Sequence, residues 1–69
     1  MKYFIGRKSK ITGRVEYRKD KRNDYWAGEG FKPYCYRFSK KGALGIIARA
    51  DDANWHYDYF LVPCEEGAA

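Results

Sequence analysis

The stretch from Tyr34 to Ala50, YCYRFSKKGALGIIARA, constrains the fold of this 69-residue chain most, because a strand pattern changes within it to a helix pattern. Aromatic side chains occupy alternate positions at its start, with Cys35 and Arg37 between them: Tyr34, Tyr36 and Phe38. A period of two residues is typical of a half-buried strand. We therefore predict a strand that ends at Ser39.

Ser39 also marks the start of the predicted helix, Lys40 to Ala50. A serine at this position can accept a hydrogen bond from a free backbone N–H two or three residues later, which makes it a good N-cap. The apolar residues of the segment recur at helical spacing: Ala43, Leu44, Ile46, Ile47 and Ala50. This periodicity predicts an amphipathic helix with one side against a sheet.

The remaining segments predict further strands by alternation of apolar and polar residues. In chain order these are Lys2 to Lys8, a turn at Ser9 to Gly13, Arg14 to Lys19, a short strand at Tyr25 to Ala27 before a Gly-rich loop, and Trp55 to Val62. The order β-β-(β)-β-α-β predicts an α+β fold, with an antiparallel sheet of three to four strands and one helix packed on one face. We expect residues 1–69 to form a single domain in which residues 63–69 are a flexible tail.

The same patterns predict a core and an open surface. The predicted core residues are Ile5, Val15, Phe38, Leu44, Ile47, Tyr59 and Leu61. The last strand is apolar on both faces, which favours an interior position in the sheet. The face of the sheet away from the helix has no element to cover it, so we expect a binding surface there, or a second copy of the chain in a homodimer. The aromatic residues of the Gly-rich segment 26–31 either pack on the core or are presented to a partner.

Charge is divided unevenly along the chain. Residues 1–41 carry 13 Lys and Arg against 4 Asp and Glu, whereas residues 42–69 carry 1 against 5. Such asymmetry favours polyanionic partners, either nucleic acid or an acidic protein surface. Neither a signal-peptide pattern nor an apolar run of membrane-spanning length occurs, so we expect a cytoplasmic protein without a membrane partner.

The basic half suggests a DNA- or RNA-binding site. Its candidate residues are Arg14, Arg18, Lys19, Lys21 and Arg22, with Tyr25 and Trp26 beside them. The cations would contact phosphates and the rings would stack on bases, as in sheets that bind single strands. No motif of a known nucleic-acid-binding module accompanies these residues, and a basic hairpin also serves to discourage aggregation at a sheet edge.

Two other function classes can be compared with this one. Asp51, Asp52 and Asp58 could form an acidic patch that mimics phosphates and occupies a basic groove of a protein partner. The alternative for Asp51 and Asp52 is that they only terminate the helix, although aspartates at a helix C-terminus oppose the macrodipole. Catalysis has little support, because His56 is the only histidine and neither cysteine has metal-site or nucleophile spacing. We therefore expect no catalytic residue, metal or cofactor. Cys35 and Cys64 should be thiols in a reducing compartment, and a disulfide between them requires neighbouring strands.

The segments MKYFIGRKSKITGRVEYR and YRFSKKGALGIIARA, followed by an aromatic strand, resemble a pattern of small orphan proteins encoded by bacteriophages and prophages. That pattern combines a KYxIxRKSKxTGxxxY hairpin with an RFSKKxAxxI helix start and a Tyr-rich last strand. The resemblance covers most of the chain and carries over no catalytic residue. It implies a stoichiometric inhibitor or adaptor, acting on a host nucleic-acid-processing or defence complex such as a CRISPR complex.

Overall fold

The computed structural model describes residues 2–53 and 56–64, and the side chains of residues 51–53 are not among those described. The described residues form five strands, one α-helix and one 3₁₀ helix. In chain order these are β1 Lys2–Ser9, β2 Val15–Arg18, β3 Trp26–Gly28, the 3₁₀ helix Glu29–Tyr34, β4 Phe38–Ser39, α1 Lys40–Ala53 and β5 Tyr57–Pro63. The predicted α+β fold, an antiparallel sheet with one helix, is confirmed.

β1 is the central strand of the sheet. β5 pairs with it antiparallel from Tyr3 to Ser9, while β2 pairs with its C-terminal half and β4 with its first two residues. Because β5 and β2 share partners on β1, they lie on opposite edges of it, and β3 extends the sheet beyond β2. The predicted interior position of the last strand is wrong, since β5 pairs with β1 alone in the part of the chain that the structure describes.

The first apolar cluster lies on the face of the sheet that α1 covers. Ile5, Phe38 and Ala43 are buried, and Leu61, Ile46 and Ile47 pack around them. The helix thus covers the half of β1 near Ile5, and the predicted positions of Ile5, Phe38, Ile47 and Leu61 are confirmed.

Leu44 does not belong to this cluster, since it is 48% exposed. The residues of α1 that face the sheet are Ala43, Ile46 and Ile47. A helix turns by about 100° per residue, so Leu44 lies roughly 100° away from Ala43 and at the border of the covered side. The sequence analysis assigned Leu44 to the apolar side of the helix because leucine is an apolar residue.

A second apolar cluster lies on the opposite face of the sheet. Phe4, Tyr17, Cys35 and Cys64 are buried there, with Val15, Phe60 and Val62 packed against them. The 3₁₀ helix contacts β2 and β3, and the Lys32 ammonium lies 5.6 Å from the centre of the Tyr17 ring. The prediction that no element would cover this face of the sheet is therefore wrong. The 3₁₀ helix and Cys35 fold back over this face beside β2 and β3, and both faces of β5 are apolar because each meets a core.

Local hydrogen bonds explain where the elements begin and end. The Ser9 hydroxyl accepts from the backbone N–H groups of Ile11 and Thr12, and Gly13 closes the turn with a φ of 76°. The Ser39 hydroxyl accepts from the Gly42 N–H at 3.2 Å, which confirms the predicted N-cap.

The predicted strand from Tyr34 to Phe38 is reduced to its last residue and Ser39. Tyr34 instead ends the 3₁₀ helix, and the Cys35 N–H closes that helix on the Lys32 carbonyl. The backbone between the two elements is held by a different contact, since the Tyr36 N–H donates to the carbonyl of Lys19. Residues 34–37, which alternation assigned to a strand, therefore form the end of the 3₁₀ helix and its irregular connection to β4.

The C-terminal elements differ in length from the prediction. α1 continues past Ala50 to Ala53, while Asn54 and Trp55 lie outside the described residues. Pro63 belongs to β5, and Cys64 is buried with its N–H bonded to the carbonyl of Lys2 at 2.8 Å. The predicted flexible tail is therefore wrong for these two residues, and 65–69 lie outside the described part. No helix within the described ranges has the length and apolarity needed to cross a membrane.

Candidate nucleic-acid interface

The structure separates the basic residues that the sequence grouped together. Arg14 precedes β2 and Lys19 follows it, so they stand about 16 Å apart at 3.3 Å per strand residue. Arg14 is exposed and lines a cleft with Thr12, Glu16 and Tyr57. Lys19, Lys21, Arg22 and Tyr25 are exposed around the turn between β2 and β3. The predicted site is therefore two surfaces at opposite ends of one strand.

Arg18 and Trp26 are not available to a ligand in the way the sequence suggested. The Arg18 side chain is only 11% exposed, and its guanidinium donates to the Asp24 carboxylate and to the Asp20 carbonyl. The indole N–H of Trp26 donates to the same Asp24 oxygen. These contacts tie β2 to the start of β3, so both residues stabilise the sheet.

Trp26 also belongs to a stack around Arg7. The Arg7 guanidinium carbon lies 4.2 Å from the ring centres of both Trp26 and Tyr57, and its Nε donates to Glu16 at 2.9 Å. Tyr59 packs edge-on against Trp26 with a centre distance of 6.0 Å. Burial raises the pKa of Tyr59, with Arg7 opposing the shift. This cluster fills the part of the helix-side face that α1 leaves uncovered.

The turn that carries Lys21 and Arg22 is ordered by its own polar side chains. The Asn23 amide donates to the Asp20 carboxylate at 2.6 Å and is the main reason that the pKa of Asp20 is lowered. The Asp20 carboxylate is therefore bonded within the turn, whereas the neighbouring Lys21 and Arg22 are exposed.

One of these cations lines a cleft with residues that are distant in sequence. Lys21 lines a cavity of about 370 Å³ together with Lys2 at the start of β1 and Arg49 in the third turn of α1. The remaining lining residues are Tyr36, Phe38, Ser39, Gly42 and Ile46. We call this the basic cleft. Its lining holds three cationic groups and no carboxylate from the described side chains.

Three of the described carboxylates outside the cleft are paired with other cations. Glu16 pairs with Arg7, Asp24 with Arg18, and Asp58 with Lys10 at 3.6 Å. Like charges brought together without counter-charges raise the local positive potential and attract anions. The basic cleft is thus the strongest candidate for phosphate contact among the described side chains.

Sequence reasoning found Lys21 but missed the other members of the basic cleft. Lys2 and Arg49 stand apart from the charge cluster of the first hairpin, and Tyr36 was assigned to a strand. One signal was available: Arg49 is the single base of the acidic half, and Gly42, Ile46 and Arg49 recur on one side of a helix. That they meet Lys2 and Lys21 follows only from the packing of α1 on the sheet.

A second exposed feature is formed by aromatic residues of the 3₁₀ helix. Phe31 and Tyr34 are 60% and 80% exposed, and residues three apart eclipse one another in a 3₁₀ helix. Their rings therefore project from the same side, and we call the pair the aromatic ridge. Tyr25, before β3, is exposed as well. Of the aromatic residues in the Gly-rich segment, Trp26 packs on the protein, whereas Phe31 is exposed.

The alternative acidic patch is only partly described. Asp51 and Asp52 belong to the last turn of α1, and their side chains lie outside the described part, whereas Asp58 is on β5 beside Lys10. No group of three or more His, Cys, Asp or Glu within the described residues could hold a metal ion.

The two cysteines and the histidine lie in different surroundings. Cys35 and Cys64 are buried in the second cluster without a disulfide between them, and burial raises the pKa of the Cys35 thiol despite the nearby Lys19. His56 is exposed immediately before β5, where its carbonyl accepts from the Lys10 N–H. A buried thiol with a raised pKa is a weak nucleophile at neutral pH.

Comparison of the chain with protein families, with curated proteins and with solved structures found no match.

Proposed function

We propose that this protein is a non-enzymatic binding module that contacts the phosphates of a nucleic acid through the basic cleft. The observation that carries the proposal is the convergence of Lys2, Lys21 and Arg49, from three separate elements, on one cleft without a described carboxylate. Phosphate contacts by lysine and arginine supply most of the sequence-independent affinity for nucleic acid. The net charge of +5 adds long-range attraction.

Paired charge variants test this proposal. Lys21→Glu reverses a charge in the basic cleft, whereas Lys8→Glu makes the same change at an exposed position of β1 about 20 Å along the strand from Lys2. Binding of labelled single-stranded and duplex oligonucleotides is followed by fluorescence anisotropy at low and physiological salt. Lys21→Glu should weaken binding to every sequence and reduce the slope of log K against log salt by about one.

Lys8→Glu should change the affinity little. Equal losses in the two variants would assign binding to net charge and not to the cleft. The absence of any binding at low salt would refute contact with nucleic acid. Arg18→Glu is a poor probe, because it would break the Asp24 pair and perturb the sheet itself.

A second candidate function is supported by the aromatic ridge. A stoichiometric inhibitor or adaptor of phage type would bind a host protein or nucleoprotein complex, and aromatic residues are enriched at the energetic centres of such interfaces. Phe31, Tyr34 and Tyr25 are exposed rings, whereas most of the other aromatic side chains that the structure describes pack on the two cores. The resemblance to small phage proteins favours this role in a host cytoplasm.

Capture of partners from a host lysate separates the two candidates. An adaptor predicts that the exposed double variant Phe31→Ser/Tyr34→Ser loses its captured partner. Ile11→Ser, which removes an exposed apolar side chain at the distant hairpin turn, is the matched control and should retain it. Loss of the partner on nuclease treatment, with both variants behaving alike, would instead support the nucleic acid as the bridging ligand.

A further inference from the structure

The basic cleft has a lining that a phosphate alone does not need. Besides the three cations, it contains the ring of Tyr36 and the apolar side chains of Phe38 and Ile46. A phosphate uses charge and hydrogen-bond donors, whereas a nucleobase uses a flat apolar surface on which to stack. Both kinds of surface occur in one cavity of about 370 Å³, within the size range of small-ligand pockets.

Tyr36 is well placed to serve as that flat surface. Its ring packs edge-on against Phe38 at a centre distance of 4.7 Å, and its N–H is bonded to the Lys19 carbonyl at 3.2 Å. These contacts fix the ring before any ligand arrives, which lowers the entropy cost of stacking. Tyr36 nevertheless remains partly exposed and lines the cleft.

The backbone N–H groups at the start of α1 are not the main source of positive charge in the cleft. The Gly42 N–H already donates to the Ser39 hydroxyl, so one of the free amides of the first turn is engaged within the protein. Charge therefore comes to the cleft from side chains: Lys2 and Lys21 from the sheet and its turn, and Arg49 from the helix.

We propose that the basic cleft binds one nucleotide of a single-stranded nucleic acid, with its phosphate between Lys2, Lys21 and Arg49 and its base stacked on Tyr36. The inference rests on the proposed nucleic-acid function and specifies its ligand. In a duplex the flat faces of the bases are stacked on one another and only their edges reach the grooves, so Tyr36 adds nothing to binding. In a single strand an unstacked base is free to enter the cleft.

Anisotropy titrations with a labelled oligothymidylate and a labelled duplex of the same length test the strand preference. Stacking of one base is equivalent to roughly 5- to 150-fold in affinity. Tyr36→Leu, which keeps an apolar side chain but removes the ring, should lose about this factor for the single strand and leave duplex binding unchanged. Tyr36→Phe, which keeps the ring, should retain the wild-type affinity.

A ligand variant gives the same test without changing the protein. A single strand of abasic deoxyribose phosphates has the charges but no bases, so the wild-type protein should bind it more weakly than oligothymidylate by a comparable factor. Equal binding of abasic and normal strands, or of single strand and duplex, would overturn the inference while phosphate binding stood. Failure to bind any of these probes at low salt would instead overturn the proposed function.

Discussion

Gly6 is the position where a single added methyl group should be most informative about this fold. A Cβ at Gly6 would lie 2.5 Å from Cζ of Phe60, its neighbour across the β1–β5 pair, whereas ordinary van der Waals contacts are 3.4–4 Å. The Phe60 ring would have to move by about 1 Å. It is held edge-on against Tyr17, with ring centres 6.2 Å apart and planes at 86°. Packing against Tyr17 in the second apolar cluster therefore opposes this movement of the Phe60 ring.

The magnitude follows from two opposing effects. Overpacking of a well-packed core costs about 1–3 kcal/mol, whereas replacing Gly by Ala stabilises by about 0.4–1 kcal/mol through the unfolded chain. The steric effect is the larger, so Gly6→Ala should lower the free energy of unfolding by about 1–2 kcal/mol. For a domain of this size, each kcal/mol corresponds to about 4–8 °C in Tm.

Gly45→Ala is the matched control, because Gly45 lies inside α1 with nothing within 4 Å of an added Cβ. It should raise stability by about 0.8–1 kcal/mol through helix propensity. Urea and thermal unfolding of both variants, followed by circular dichroism, should give shifts of opposite sign. A Gly6→Ala variant as stable as the wild type would refute the close approach of Phe60. Phe60→Leu in the Gly6→Ala background should recover part of the loss, which a double-mutant cycle measures.

Four further outcomes can be checked by simple assays. Leu44→Ala should cost about 1 kcal/mol or less in urea unfolding, since the side chain is half exposed, and a loss of the 2–5 kcal/mol typical of a buried leucine would contradict its position. Ser39→Ala should cost about 1 kcal/mol through the lost N-cap, and Ser39→Asp should largely restore it. Arg7→Lys should cost about 1–2 kcal/mol because an ammonium cannot stack between two rings, and the near-UV circular dichroism should change with it. Cys35 and Cys64 should react with a thiol reagent only after denaturant is added, and rapid reaction of the native protein would contradict their burial.

The elements of this protein could be predicted from sequence wherever a local rule decides them. The alternation in β1 and β5, the Gly13 turn and the Ser39 cap depend on residues within a few positions of each other. Charge asymmetry could likewise be counted directly from the residues, and it favours anionic partners whatever the fold. The α+β class follows from these elements and their order.

Burial and the composition of the candidate site could not be predicted in this way. The sequence placed Leu44 in the core and Arg18 on the surface, whereas Leu44 is 48% exposed and the Arg18 side chain is only 11% exposed. A residue's type indicates what it can do, but its exposure depends on which elements pack beside it. Burial on the second face of the sheet was not predicted either, because it depends on the segment 29–35 folding back over β2 and β3.

By itself, then, the sequence determined the kinds of element, their order, the hairpin turn, the helix cap and the excess of positive charge, because each depends on short-range stereochemistry or simple composition. The tertiary structure alone decided that β1 would be central, that Gly6 would lie under Phe60, and that Lys2, Lys21 and Arg49 would share a cleft with Tyr36. The physical reason is that long-range packing brings residues together according to the shape and apolar surface of whole elements, and neither is encoded in the spacing of the residues that finally meet.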